Sequence, residues 1–243
     1  MSLPRAVLPS VLVLLTGLTF FNLTSGSVLT WSGSSLRGVA AVGAVKHLEA
    51  TSETQLRQLN QLVHLWVEHS EGLRVGPETN WVQWLLGTLH PPAARSQLAA
   101  HILATGQGDC SERAAVLQAI LLRRGIASRL VGLGGHVVLE TQPFDGRSLV
   151  LDPDYGVEFP GTVAKLSAGQ RDEEVRSTLA SAGASESQIQ LYREILYSLQ
   201  DNQAMDWNEP LSPRLFWLER MAQGVVQVAC CGMILFLIGT IRW

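Results

Sequence analysis

Between Glu53 and His69 the apolar residues Leu56, Leu59, Leu62, Val63, Trp66 and Val67 recur at three- and four-residue intervals, the spacing that lines one face of an α-helix. A shorter segment, 81–89, ends at His90-Pro91-Pro92, where proline removes a backbone donor, and the pattern predicts a fresh helix over 93–104. The best-marked helix follows Asp109. That residue is an N-cap, Glu112 stands where a capping box needs it, Arg123 and Arg124 occupy the last turn, and Gly125 closes it.

Beyond Gly125 the pattern turns β-like. Runs over 126–133 and 136–141 flank Gly134-Gly135, and a third run, 148–152, follows the turn Pro143-Phe144-Asp145-Gly146. Two polar helices, 172–180 and 186–200, complete this part; the second offers Ile189, Tyr192, Ile195, Leu196 and Leu199 for burial and is assigned packing or substrate shaping. Helices followed by an antiparallel sheet predict an α+β fold.

Two long hydrophobic runs bound this region. The first, 6–21, follows Arg5 and makes residues 1–24 either a cleavable signal peptide or an N-terminal membrane anchor. The second, 222–241, carries no charge and reaches the roughly 20 residues that a bilayer crossing requires, so it reads as a transmembrane helix. Residues 25–52, rich in Ser and Gly, read as a linker; 53–204 as the folded domain; 205–221, with its Trp and Phe residues, as a juxtamembrane segment. Arg5 and Arg242 on one side of the membrane put the domain on the other, extracytoplasmic side, which in a bacterium is the periplasm.

Composition agrees: 47% hydrophobic against 16% charged residues leans toward membrane contact. A net charge of −3 with no basic stripe excludes a nucleic-acid partner. Two of the three cysteines, Cys230 and Cys231, lie in the second hydrophobic run, so Cys110 stands alone in the folded domain without a local disulfide partner. A solitary cysteine of that kind is a candidate nucleophile.

Its position strengthens the case. With Asp109 as N-cap, Cys110 is the first helical residue, at the positive end of the helix dipole and beside unpaired N–H groups that could hold an oxyanion. Gln107 and Asp109, on either side of Gly108, are the further candidates for oxyanion or substrate contact. If 136–141 and 148–152 pair across a loop centred on Phe144, partners sum to 288 and His136 lies directly opposite Asp152, on the same face. Opposed residues have Cβ atoms about 4.5–5.5 Å apart, close enough for a carboxylate to orient an imidazole. His64 and Glu68 share a helical face, but a solvated polar face explains them better than a metal; no metal site and no cofactor cradle is expected.

The stretch 106–157 joins Asp-Cys ahead of a long helix, then Leu-Leu-Arg-Arg-Gly-Ile-Ala-Ser-Arg, Gly-His-Val-Val-Leu-Glu and Leu-Asp-Pro-Asp-Tyr-Gly. In this combination, covering about a fifth of the chain, the sequence resembles the transglutaminase-like superfamily. The resemblance implies a papain-like core, with Cys110 as nucleophile, His136 as general base and acid, and Asp152 as orienting carboxylate. It implies acyl transfer from an amide of a protein or peptide substrate, through a thioester, to water or an amine. Val137-Val138 and Leu149-Val150-Leu151 depart from the aromatic residues that many relatives carry after the histidine and before Asp-Pro, which bears on substrate choice. The competing expectations are an arylamine N-acetyltransferase-like acyltransferase drawing on coenzyme A, and a catalytically silent scaffold for envelope proteins.

Overall fold

The computed structural model describes residues 52–72, 74–142, 146–198 and 202–241. The described residues divide into two compact units, one within 52–72 and 97–213, the other within 74–96 and 214–241. The first hydrophobic run and most of the linker lie outside the described residues.

The larger unit contains helices α1 (Glu53–Trp66), α3 (Ala99–Thr105), α4 (Cys110–Leu122), α5 (Val163–Ser167), α6 (Asp172–Ser181) and α7 (Glu186–Tyr197). Its strands are β1 (Glu68–His69), β2 (Gln107–Gly108), β3 (Ser128–Leu133), β4 (Val137–Thr141), β5 (Leu149–Asp152), β6 (Val157–Pro160) and β7 (Asn202–Ala204). Five of them form an antiparallel sheet in the order β6-β5-β4-β3-β7, and β1 and β2 make a short parallel pair.

Strand side chains alternate between faces, and here both faces are covered. Leu130, Leu139, Leu149 and Leu151 pack with α1, α3 and α4 on one side. Val131, Val138, Val150, Val157 and Phe159 pack with α5, α6 and α7 on the other. Double coverage explains why β5, Leu-Val-Leu-Asp, is buried at every position. It also puts a carboxylate, Asp152, inside.

Several elements differ from their sequence patterns for local reasons. The helix from Glu53 stops at Trp66 because the next residues become extended and pair with Gln107-Gly108, so the helical face does not carry on from His64 to Glu68. α4 ends at Leu122; Arg123 is its C-cap, and Arg124 donates from Nη1 to the Ile120 carbonyl at 3.2 Å. β6 and β7 were not legible as strands. At the sheet edge β7 pairs with β3, and residues 205–211, read as part of the juxtamembrane segment, follow it into the domain: Met205 N–H donates to the Leu130 carbonyl, and Met205 and Leu211 pack on the α4-side core.

The smaller unit contains α2 (Pro77–Leu89), a 3-10 turn over Pro91–Ala94 and α8 (Pro213–Ile241), which begins one residue before it. The helix expected over 93–104 does not start there. Two consecutive prolines permit a single tight turn, Arg95 then forms an extended bridge with Arg74, and α3 begins at Ala99. The second hydrophobic run lies on α8, whose side chains at 230–231 and beyond 232 are outside the described residues; among the described residues no helix is long and apolar enough to cross a membrane.

Candidate active site

The cysteine stands on a helix start that is bonded as the sequence requires. Asp109 Oδ1 accepts the Glu112 N–H at 2.9 Å, and Glu112 Oε2 accepts the Asp109 N–H at 3.0 Å. Ser111 Oγ adds a 2.6 Å bond to the same Asp109 oxygen. The cap therefore occupies the Asp109 carboxylate, which as an acceptor can donate nothing to an oxyanion; it shapes the helix start. Cys110, half-buried, is the first residue of α4, where a backbone N–H has no acceptor within the helix. Gln107 is exposed on β2.

His136 and Asp152 come together, but not in the expected register. The partners are Leu139 with Leu151 and Glu140 with Val150, so pairs sum to 290 and His136 is not directly opposite Asp152. A shift of two residues preserves the face, which is why the pair survives it. The offset makes the contact diagonal, and a diagonal partner suits the ring nitrogen farther from Cβ. Nε2 of His136 donates to Asp152 Oδ2 at 2.8 Å, leaving Nδ1 as the nitrogen free to serve the sulfur.

Both members of the pair are buried, at 8% and 0% exposure. Burial by itself would drive the proton off His136. The charge and hydrogen bond of Asp152 outweigh it, Cys110 adds a hydrogen bond and charge in the same direction, and the imidazole holds its proton well above the usual histidine range. Burial would likewise raise Asp152, but the His136 charge and bond, with the N–H groups of Tyr155 and Asp154, bring it below the ordinary carboxylate value. The site thus favours an imidazolium–carboxylate pair beside a cysteine.

A set of residues that sequence reasoning had not singled out builds this arrangement. Asp152 Oδ1 accepts the backbone N–H groups of Asp154 at 2.9 Å and Tyr155 at 3.2 Å, closing the β5–β6 turn on its own carboxylate. Asn60, buried on α1, donates to the Val157 carbonyl at 2.8 Å and the Asp152 carbonyl at 3.4 Å. Arg113 lies one turn beyond Cys110. Its Nη1 donates to the Asp154 carbonyl at 2.9 Å and pairs with Asp154 Oδ1 at 3.2 Å, tying the cysteine helix to the turn that carries Asp152. Burial lowers the Arg113 pKa, and Asp154 and Asp152 oppose that.

The turn also needs its glycine. Gly156 has φ +68°, and a Cβ there would meet the His64 ring at 3.0 Å. His64 Nδ1 in turn contacts the Asp154 carbonyl at 2.9 Å, and His69 Nδ1 contacts Asp154 Oδ1 at 2.7 Å. Tyr155 stands edge-on to His136 with centroids 5.9 Å apart, and with His64, His69, Asp154 and Gln188 it lines a cavity of about 410 Å³. From α7, Tyr192 sets its ring 5.5 Å from His136, and burial pushes its phenol pKa well up.

Signals for two of these residues were present in the sequence. Tyr192 is the one hydroxyl in an otherwise aliphatic helical stripe, and a buried phenol needs a partner. Arg113 is a charge three residues after Cys110 on a helix that is buried nearly all round. Neither signal names the partner. No protein-family model matches the chain, and no curated protein matches it at a significant level.

Proposed function

We propose that the larger unit is a transglutaminase-like cysteine enzyme that cleaves or transfers acyl groups of amides, on a papain-like core. The observation that carries the reading is the buried His136–Asp152 pair bonded at 2.8 Å, with Cys110, on the first turn of α4, among the groups that raise the His136 pKa. In this reaction the Cys110 sulfur attacks the amide carbonyl, and the Cys110 backbone N–H steadies the oxyanion. As the carbon–nitrogen bond breaks, His136 passes its proton to the leaving amine and a thioester remains. His136 then takes a proton from water or an acceptor amine, which attacks the thioester and returns the thiol. Asp152 keeps the imidazole oriented and stabilises its charge throughout. The substrate class is a protein or peptide amide, and the uncharged run at 222–241 supports a location at a membrane, with the enzyme on its outer side.

The test is alkylation of Cys110 by iodoacetate in the full chain, held in detergent and read peptide by peptide so that Cys230 and Cys231 do not interfere. Near pH 6 Cys110 should react about 10²-fold or more faster than free cysteine, and His136→Ala should remove the excess. A wild-type Cys110 no more reactive than free cysteine would overturn the enzyme reading.

A further inference from the structure

Asp154 sits in the turn that presents Asp152, and three side chains converge on it. Its N–H donates to Asp152 Oδ1 at 2.9 Å. Its carbonyl accepts from Arg113 Nη1 and from His64 Nδ1, each at 2.9 Å. Its Oδ1 accepts from His69 Nδ1 at 2.7 Å and pairs with Arg113 Nη1 at 3.2 Å. His69 belongs to β1, where it is paired with Gly108, two residues ahead of Cys110. Arg113 lies three residues after Cys110, on the same face of α4. The chain on both sides of the cysteine is therefore fastened to the residue whose N–H holds the Asp152 carboxylate.

Arg113 is the buried member of this bracket, at 3% exposure, and among the described residues its Nε–H has no acceptor. Packing alone would be served by an aliphatic side chain, at no cost in buried charge. Resting on the cysteine-enzyme reading above, we propose that Arg113 is a positioning residue of the site: acting through Asp154, it holds the Asp152 carboxylate in place relative to Cys110, and it sets a buried positive charge one helical turn from the sulfur. The titratable groups around Cys110 and Arg113 are His136 ahead of β4, Asp152, Asp154 and Tyr155 at the β5–β6 turn, His64 from α1, and Glu68 and His69 from β1. Set among them, Arg113 is a cation at every working pH. The sulfur reacts as an anion, and a fixed cation this near favours that form.

Iodoacetamide is uncharged, so the pH dependence of its reaction with Cys110 follows thiolate formation without an added effect of reagent charge. In the full chain, read peptide by peptide, Arg113→Met keeps an unbranched stem and removes the cation. The acid limb should move up by about one pH unit, the scale of one nearby charge. Arg113→Lys keeps the charge and should return the limb to its wild-type position. Asp154→Asn removes the opposing charge at the same place and should move the limb downward, which tests the proposal even where Arg113→Met folds poorly. The hold on the turn is read at the Asp154 N–H, whose hydrogen exchange should be about tenfold faster in Arg113→Met than in wild type. An acid limb unmoved in both Arg113→Met and Asp154→Asn overturns the proposal. So does a limb that moves as far in Arg113→Lys as in Arg113→Met, because loosened packing alone would explain it. If wild-type Cys110 is no more reactive than free cysteine, the enzyme reading fails, and the limb positions of wild type and variants still decide whether Arg113 charges the site.

Discussion

Two carboxylates, Asp172 and Asp152, each hold a cationic partner, and the contrast between them shows what makes a charged pair matter here. Tyr197 donates to Asp172 Oδ1 at 2.7 Å, and Arg193 grips the same carboxylate with bonds of 2.7 and 2.6 Å. Asp152 is bonded to His136 at 2.8 Å. By distance the first cluster is the tighter one. Its side chains, however, are 29% and 38% exposed, against 9% and 0% for His136 and Asp152. Water screens the first pair and leaves the second in a medium where each charge depends on the other. Both carboxylates are lowered, Asp172 chiefly by its bonds to Arg193 and Tyr197, Asp152 against the opposing force of burial. Tyr197 is pushed up to about 12 by burial and by Asp172.

The largest effect should come from breaking the buried pair. Asp152→Asn leaves His136 enclosed without its counter-charge, and should cost about 3 kcal/mol or more of stability, read as a lowered urea midpoint. The same variant should slow Cys110 alkylation near pH 6 by about 10²-fold or more, since the imidazole loses both orientation and charge. A stable, fully reactive Asp152→Asn protein would erase the distinction drawn between the two clusters.

A smaller effect, but one with a definite shape, should appear as pH is varied. The Asp152 pKa is lowered on folding, so its contribution is complete above the unfolded carboxylate value of about 3.9 and is lost as pH falls through the lowered folded value. The His136 pKa is raised, so its contribution is complete below the unfolded value of about 6.5 and is lost as pH rises through the raised folded value. The stability difference between wild type and Asp152→Asn should therefore be greatest between about pH 4 and 6.5 and shrink on either side. A difference that grows into the alkaline range would contradict an imidazolium–carboxylate pair.

The smallest effect belongs to the exposed cluster. Arg193→Ala should leave the urea midpoint and Cys110 alkylation unchanged within error, in low salt and in high, despite removing two short bonds. A clear loss of stability there would show that bond length had been the better guide than burial.

How much of this was legible in the chain depends on the reach of each interaction. The Asp109–Glu112 box and the start of the cysteine helix come from contacts three residues apart, and they stand where the pattern put them. The alternation that assigned β4 and β5 also placed His136 and Asp152 on one face, because parity survives a two-residue slip. The slip itself depends on how the turn closes between the strands, and the pattern held nothing to measure that. β7, Asn-Gln-Ala, has no apolar alternation at all; it is a strand because the free edge of β3 offers it hydrogen bonds. The helix expected at Ala93 was lost to a local rule read one step too early, since two prolines first impose a 3-10 turn.

By itself, then, the sequence determined a capped helix headed by Cys110, the antiparallel run that follows, and the shared face of His136 and Asp152, all consequences of short-range periodicity and capping chemistry. Tertiary structure alone decided which imidazole nitrogen meets the carboxylate and that Arg113 ties the cysteine helix to the Asp152 turn. It also decided that Tyr192, forty residues beyond Asp152 in the chain, sets its ring against the His136 imidazole. Those outcomes depend on two helical layers meeting across a buried sheet. There, removal of water makes distant residues satisfy one another's polar atoms, and spacing along the chain does not record such partners.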